Sequence, residues 1–215
     1  MRLRLSVRRE SKPTRRSYCA RFGRARRGRA GGTARLVRLA LIGSDRTPGA
    51  QRHLAVTRSD LCRLVAAHDA VWAAWWPTLI GLPESAVSSP VGGSFPSVFS
   101  TTRHLVDAER YWQEIIDRGP AFEAMVSTAG TIAALRAMWD GVRARRLAWL
   151  AEADPHAAVA FAPAGGGTAT VHAWECVIHV VSHAHFHRGQ LVSQCRSLGV
   201  DPPSRHLIGS FLGEF

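Results

Sequence analysis

Four histidines fall within the nine residues that open the segment HVVSHAHFHRGQL, residues 179–191. His179, His183 and His187 are spaced by four. On an α-helix four residues turn the chain about 40° past a full turn and rise about 6 Å, so these three rings are predicted to share one face. His185 stands about 200° from its neighbours and points elsewhere. An i, i+4 histidine pair can reach one metal ion from a single helix. Two ligands do not make a site, so a third must come from another helix; His104 in RHLVDAERYW is the best candidate. Three neutral imidazoles with no obligatory carboxylate suit Zn2+, Ni2+, Fe2+ or Co2+. Three protein ligands leave a position open for water or a substrate atom, which is the catalytic rather than the structural pattern. An ion held by His104, His183 and His187 would lower the pKa of bound water or keep a thiol as its thiolate.

The side chains around this triad divide into candidates and scaffold. His179 extends the ladder by one turn and has three readings: a fourth ligand, an acid/base residue, or a buried structural histidine, the last being the default. Glu175 lies a further turn down and is placed to orient His179. Asp107 and Glu109 are candidates to hold a ligand imidazole from behind, against the plainer reading of each as a surface acid. Arg188 is expected to pair with a carboxylate or a backbone carbonyl, Gln190 to hydrogen-bond within the fold, and Gly189 to allow close helix approach. Cys176 and Cys195 flank that segment on the same predicted helix, and a nucleophilic role for either is not favoured. His68 and Asp69 either approach the metal cavity or form a solvated pair; the solvated pair is preferred.

Four helical patterns supply these residues. A first helix over residues 59–80 is capped by Ser59 or Asp60 and carries Leu61, Leu64, Val65, His68, Val71, Trp72, Trp75 and Leu79 in one stripe. The tryptophans there read as core, and Pro77 as a kink or late break. Pro, Gly and Ser mark residues 82–96 as a loop. Ser97 caps a second helix over 98–118, with Val98, Leu105, Ala108, Trp112 and Ile115 near one face and His104 beside it; Gly119 and Pro120 stop it. Residues 121–126 are a connection. A third helix runs from Ser127 to Glu152, its stripe Ile132, Leu135, Met138, Trp139, Val142, Leu147 and Leu150, with Arg143, Arg145 and Arg146 on a solvated face. AVAF and TATV, around Gly165, Gly166 and Gly167, predict a small β-hairpin; the glycine run lacks the Lys-Ser/Thr of a phosphate loop. A fourth helix over 171–198 carries the histidines, with Trp174, Ile178, Val181, Leu191 and Cys195 toward the core. The tail SRHLIGSFLGEF is amphipathic enough to dock on the rest. Four helices with modest loops predict an all-α bundle with its site among facing side chains.

The string HxxxHRGQ, here His183 to Gln190, resembles the signature of the DinB/YfiT-like superfamily of bacterial four-helix-bundle proteins. SFPSVFSTTRHLVDAERYW is similar to that family's second-helix pattern, and the resemblance covers roughly residues 57–215. It implies an up-down four-helix bundle in which His104 joins His183 and His187 on one divalent metal. It also implies an activity: some members are transferases or isomerases that use a low-molecular-weight thiol against a small electrophile. Other members have no known reaction. A metal-dependent thiol S-transferase is therefore the expected activity. A non-catalytic metal-binding or stress-response bundle and a metal-dependent hydrolase are the alternatives.

The 215 residues carry a net charge of +12, unevenly placed. Residues 1–58 hold 17 of the 28 Lys and Arg and 2 of the 16 Asp and Glu, or +15, leaving −3 for the rest. Residues 1–56 are too rich in Arg, Gly and Ser to bury a core and read as a disordered arm, with a short helix at ARLVRLALIG. The arm is a nucleic-acid or anionic-surface tether, a targeting peptide, or sequence from a start codon placed too far upstream; the last is favoured. Residues 57–215 form the expected domain. Four cysteines without a CxxC pair offer no disulfide framework, and a cytoplasmic location is the default. No apolar run is long enough to span a bilayer. The expected partners are a small-molecule substrate and, as an option, a second copy of the chain; nucleic acid enters only through the arm.

Overall fold

A computed structural model describes residues 55–120, 126–163 and 165–213. The readings of the arm fall on residues 1–54, and most of the 121–126 connection on residues 121–125; both lie outside the described residues. Among the described residues the elements run α1 (Arg58–Gly81), α2 (Glu84–Ser88), α3 (Val98–Arg118), α4 (Ile132–Glu152), β1 (Ala158–Phe161), β2 (Ala169–His172), α5 (Ala173–Ser197) and α6 (Leu207–Leu212). The four long helices make the expected bundle: α3 packs on α4 and α5, and α1 packs on α4, α5 and α6.

Helices α1, α3 and α4 each start where a side-chain oxygen meets one of the unpaired N–H groups. Thr57, rather than Ser59 or Asp60, caps α1: its hydroxyl accepts from the Asp60 N–H at 3.2 Å, and the Asp60 carboxylate accepts from the Thr57 N–H at 2.9 Å. Ser97 caps α3 as expected, accepting from the Ser100 N–H at 3.2 Å. Helix α4 begins at Ile132, not Ser127. Thr131 caps it, and the Ser127 N–H is already taken by the Asp107 carboxylate at 3.1 Å. At the far end of α4, Arg58 donates to the carbonyls of Ala153 and Ala151 at 2.8 and 2.9 Å, where an intrahelical partner is missing and a cation is favoured.

One expectation about the chain's breaks holds and one is corrected. Pro77 lies within α1, which runs on to Gly81, one residue past the expected end. Its missing N–H leaves the Ala73 carbonyl without that helical bond, and both residues are exposed. Residues 82–96 are not wholly loop. The Pro83 carbonyl accepts from Ala86 and Val87 at 2.9 and 3.0 Å, starting the short α2 and burying Val87.

The hairpin forms where AVAF and TATV predict it. Strands β1 and β2 are antiparallel, with Val159 opposite Val171 and Phe161 opposite Ala169. Gly166 and Gly167 take φ of 86° and 81° at the tip, a region other residues avoid. The hairpin packs against α3 and the start of α5. In the core, Trp72 and Trp76 stack at 4.8 Å, and Trp139 tilts against both at 5.8 and 5.7 Å. Leu147 and Ile178, expected in the core, are instead 41% and 45% exposed, at the margins of their helical stripes.

Candidate metal centre

Helix α5 presents His183 and His187 one turn apart, and α3 presents His104 opposite them. The Nε2 atom of His104 lies 3.1 Å from that of His183 and 3.2 Å from that of His187. One ligating nitrogen from each ring falls within 4.8 Å of the others. A single ring nitrogen can donate one hydrogen, so His104 Nε2 cannot satisfy both neighbours as a donor. With metal–nitrogen bonds of about 2.0–2.1 Å, ligand nitrogens stand about 2.9 Å apart at right angles and about 3.4 Å apart at the tetrahedral angle. The two observed spacings lie between those limits, so the donor set fits one transition-metal ion.

The rings are prepared as neutral donors. Gln190 Nε2 donates to Ser94 Oγ at 3.1 Å, which turns its carbonyl oxygen to His187 Nδ1 at 3.2 Å. The proton of His187 is thereby kept on Nδ1, and the Nε2 lone pair faces the centre. Burial, with His187 close by, pushes His104 down to about 4 and His183 down to about 3. Burial also lowers His187, opposed by the Gln190 contact.

Phe95 covers one side of the triad. Its ring stacks on His104 at 4.3 Å and meets His187 edge-on at 5.5 Å. The loop that carries it turns through Gly92 and Gly93, whose φ values of 82° and 104° suit glycine. Buried Gln194 holds that loop: its Nε2 donates to the carbonyls of Gly92 and Phe95 at 3.1 and 2.9 Å, and its Oε1 accepts from Thr101 of α3 at 2.9 Å. Nothing in the loop's composition announces a role for Phe95, because its position comes from glutamines about a hundred residues away.

A family model described as the DinB family matches residues 61–209. The chain belongs to the DinB family. No curated protein matches it. Among the described residues of this DinB-family chain, no helix is long and apolar enough to cross a membrane.

Several residues expected near the centre do something else. Glu109 is neither a surface acid nor a partner of a ligand imidazole. It is 3% exposed and accepts from His68 Nε2 at 3.0 Å, Trp72 at 2.6 Å, Trp139 at 3.0 Å and Arg146 at 2.8 Å. Arg146, expected in solvent, is 6% exposed and also donates to Asp69 at 2.7 Å, while Arg143 reaches the second Asp69 oxygen at 2.8 Å. His68 and Asp69 are therefore buried members of one network, not a solvated pair. Helical periodicity placed them on α1 but could not show that charged partners from α3 and α4 meet them there. A cavity of about 20 Å3 borders His68, Glu109, Arg146 and Cys176, room for one water and for no substrate.

Asp107 gives its carboxylate to the Ser127 N–H and lies 3.6 Å from Arg110, so it anchors the chain entering α4 rather than a ligand ring. Glu175 accepts from the His172 N–H at 2.7 Å at the start of α5 and does not orient His179. Among the described residues, buried Arg188 donates to neither a carboxylate nor a carbonyl; its guanidinium lies over the Trp72 ring at 5.6 Å, and burial lowers it to about 10. The nearby Glu109 oxygens are already occupied. Gly189 is exposed, and a Cβ there would meet nothing, so it serves no close approach. His179 is exposed rather than buried, and it is outside the ligating group. Its ring stacks on His183 at 5.8 Å and tilts against Trp112 at 4.9 Å. Burial pushes the Cys176 thiol up to about 11 and raises Cys195, so both are protonated near neutral pH and neither is a ready nucleophile.

Proposed function

We propose that this DinB-family protein is a metal-dependent enzyme in which His104, His183 and His187 hold one divalent transition metal and a low-molecular-weight thiol, or water, is activated there against a small electrophile. The convergence of three imidazole nitrogens from two helices carries the reading. The absence of a carboxylate from the set favours Zn2+, Ni2+, Fe2+ or Co2+ over Mg2+ or Ca2+. A bound cation of this kind lowers the pKa of a thiol or water that coordinates it.

The chain's own side chains supply the rest. Gln190 fixes the tautomer of His187. Phe95 shields His104 from solvent on one side. His179, exposed and one ring contact from His183, is the imidazole placed to accept the proton released by the nucleophile. The buried thiols of Cys176 and Cys195 leave the nucleophile to be brought in from solution.

The test is elemental analysis of the full-length chain, followed by a titration with Co2+ read from its visible absorption. One metal per chain is expected, lost in the His183→Ala, His187→Ala double variant. Full occupancy in that variant would end this reading. A panel of thiols and electrophiles then separates an enzyme from a metal-binding bundle, which would load metal and turn nothing over.

A further inference from the structure

The rings around the triad continue beyond Phe95. From His183 the contacts run to His179 at 5.8 Å, from His179 to Trp112 at 4.9 Å, and from Trp112 to Phe161 of the hairpin at 5.3 Å. These are the separations at which aromatic pairs attract, so α5, α3 and β1 share one run of ring faces that starts at a ligand. The run differs from the core tryptophans. Trp72, Trp75, Trp76 and Trp139 are at most 2% exposed, whereas Trp112 and Phe161 are half-buried and His179 is exposed. Apolar ring surface kept in water beside a ligating centre is unfavourable unless something covers it.

We infer that His179, Trp112 and Phe161 form a substrate subsite that receives a flat aromatic or conjugated group, on a small molecule whose donor or reacting atom lies at the His104–His183–His187 centre. This rests on the metal-centre reading above and names the class of electrophile it serves. The subsite begins one ring contact from His183, so a ring joined directly to the coordinating group reaches it. Phe95 covers His104 and His187, whereas the run of rings toward Trp112 leaves from His183. The hairpin acquires a purpose in the same step, since it brings Phe161 to a helix face that the four-helix core alone would leave wet.

The experiment compares imidazole with 4-phenylimidazole on the Co2+-loaded full-length chain, read from the cobalt absorption. Both probes present the same coordinating nitrogen, and only one carries a ring for the subsite. The phenyl group is expected to tighten binding by about tenfold. Trp112→Ala is expected to remove that gain while leaving imidazole affinity unchanged. Phe161→Ala, on the hairpin and outside the four long helices, gives a second variant should Trp112→Ala lose its cobalt spectrum. Equal affinities of the two probes in the unaltered protein, or a phenyl gain that survives both substitutions, overturns the subsite and leaves the metal centre standing. A chain that shows no cobalt spectrum at all overturns both.

Discussion

His68 and His183 are both kept neutral by burial, yet their ring nitrogens meet opposite company. Nε2 of His68 faces Glu109, whose carboxylate also takes two indole N–H groups and a guanidinium. Every strong acceptor position there is filled, and the cavity beside it holds a water at most. Nε2 of His183 faces His104 Nε2, which can donate its one hydrogen to a single neighbour, and among the described residues no carboxylate joins the three rings. The first arrangement is a closed electrostatic knot that ties α1, α3 and α4 together. The second is a cluster of ring nitrogens spaced so that it could hold a metal ion. Burial and imidazoles are common to both; what separates structure from chemistry is whether the polar groups answer one another.

Substitutions should part the two regions cleanly. The largest effect is expected at the triad. His183→Ala should abolish stoichiometric metal binding by calorimetry, while changing the urea stability of the metal-free protein by less than about 1 kcal/mol. A metal-free variant that unfolds as readily as a core mutant would make the triad structural and collapse the distinction. Glu109→Ala should do the reverse. It leaves buried Arg146 paired with Asp69 alone and strips the shared acceptor from His68, Trp72 and Trp139, and is expected to cost about 3–5 kcal/mol of folding stability. Whatever fraction stays folded should retain metal affinity. Gln194→Ala should cost about 1–3 kcal/mol, because the Gly92 and Phe95 carbonyls lose a buried donor. It should also weaken metal binding modestly as Phe95 loosens over His104. Smallest is Thr57→Ala, which removes one helix cap for about 1 kcal/mol and leaves both regions otherwise intact.

Acid sharpens the same contrast. His68, His104 and His183 all have folded-state pKa values below the ordinary 6.5. The unfolded chain therefore binds more protons, and their contribution is present above about pH 6.5 and lost as pH falls toward the folded values. For His104 and His183 that loss extends down to about 4 and about 3. Burial disfavours the Glu109 charge, but the His68 and Arg146 donors outweigh it and hold the carboxyl below the usual range. Its contribution is present above the unfolded carboxylate pKa and drains away only in stronger acid. Urea midpoints of the metal-free protein measured from pH 8 to pH 4 should fall with pH. Replacing His104 and His183 by Gln should flatten the slope between pH 6.5 and 4. An unchanged slope in that variant would place the titrating groups elsewhere.

Periodicity and spacing carried the bundle, the hairpin and the ligand set a long way. Steps of three and four in α1, α3, α4 and α5 are imposed by helix geometry, so the stripes of Trp72, Leu105, Trp139 and Leu191 could be read directly. The i, i+4 pair of His183 and His187 is likewise a local fact, since two side chains on one helix face are fixed by 3.6 residues per turn. His104 could be nominated only through the likeness of RHLVDAERYW to the family's second-helix pattern, because no local spacing links it to His183 and His187. The same local rules misplaced Arg146, Glu109, His68 and Asp69, each taken for a solvated or surface group. A lone acid or base on a helix margin looks alike whether water or an opposite charge awaits it, and the partners here come from three different helices.

The sequence by itself determined which faces are apolar, where the helices begin and that imidazoles are stacked at ligand spacing, because each of these depends on residues within a few positions of one another. Only the tertiary structure decided that three Nε2 atoms point at a common centre, that Gln190 and Gln194 pin Phe95 above it, and that Trp112 meets Phe161 beside His179. Those outcomes depend on the rotation and spacing of whole helices and loops, which are set by the collective packing of a core assembled from distant parts of the chain.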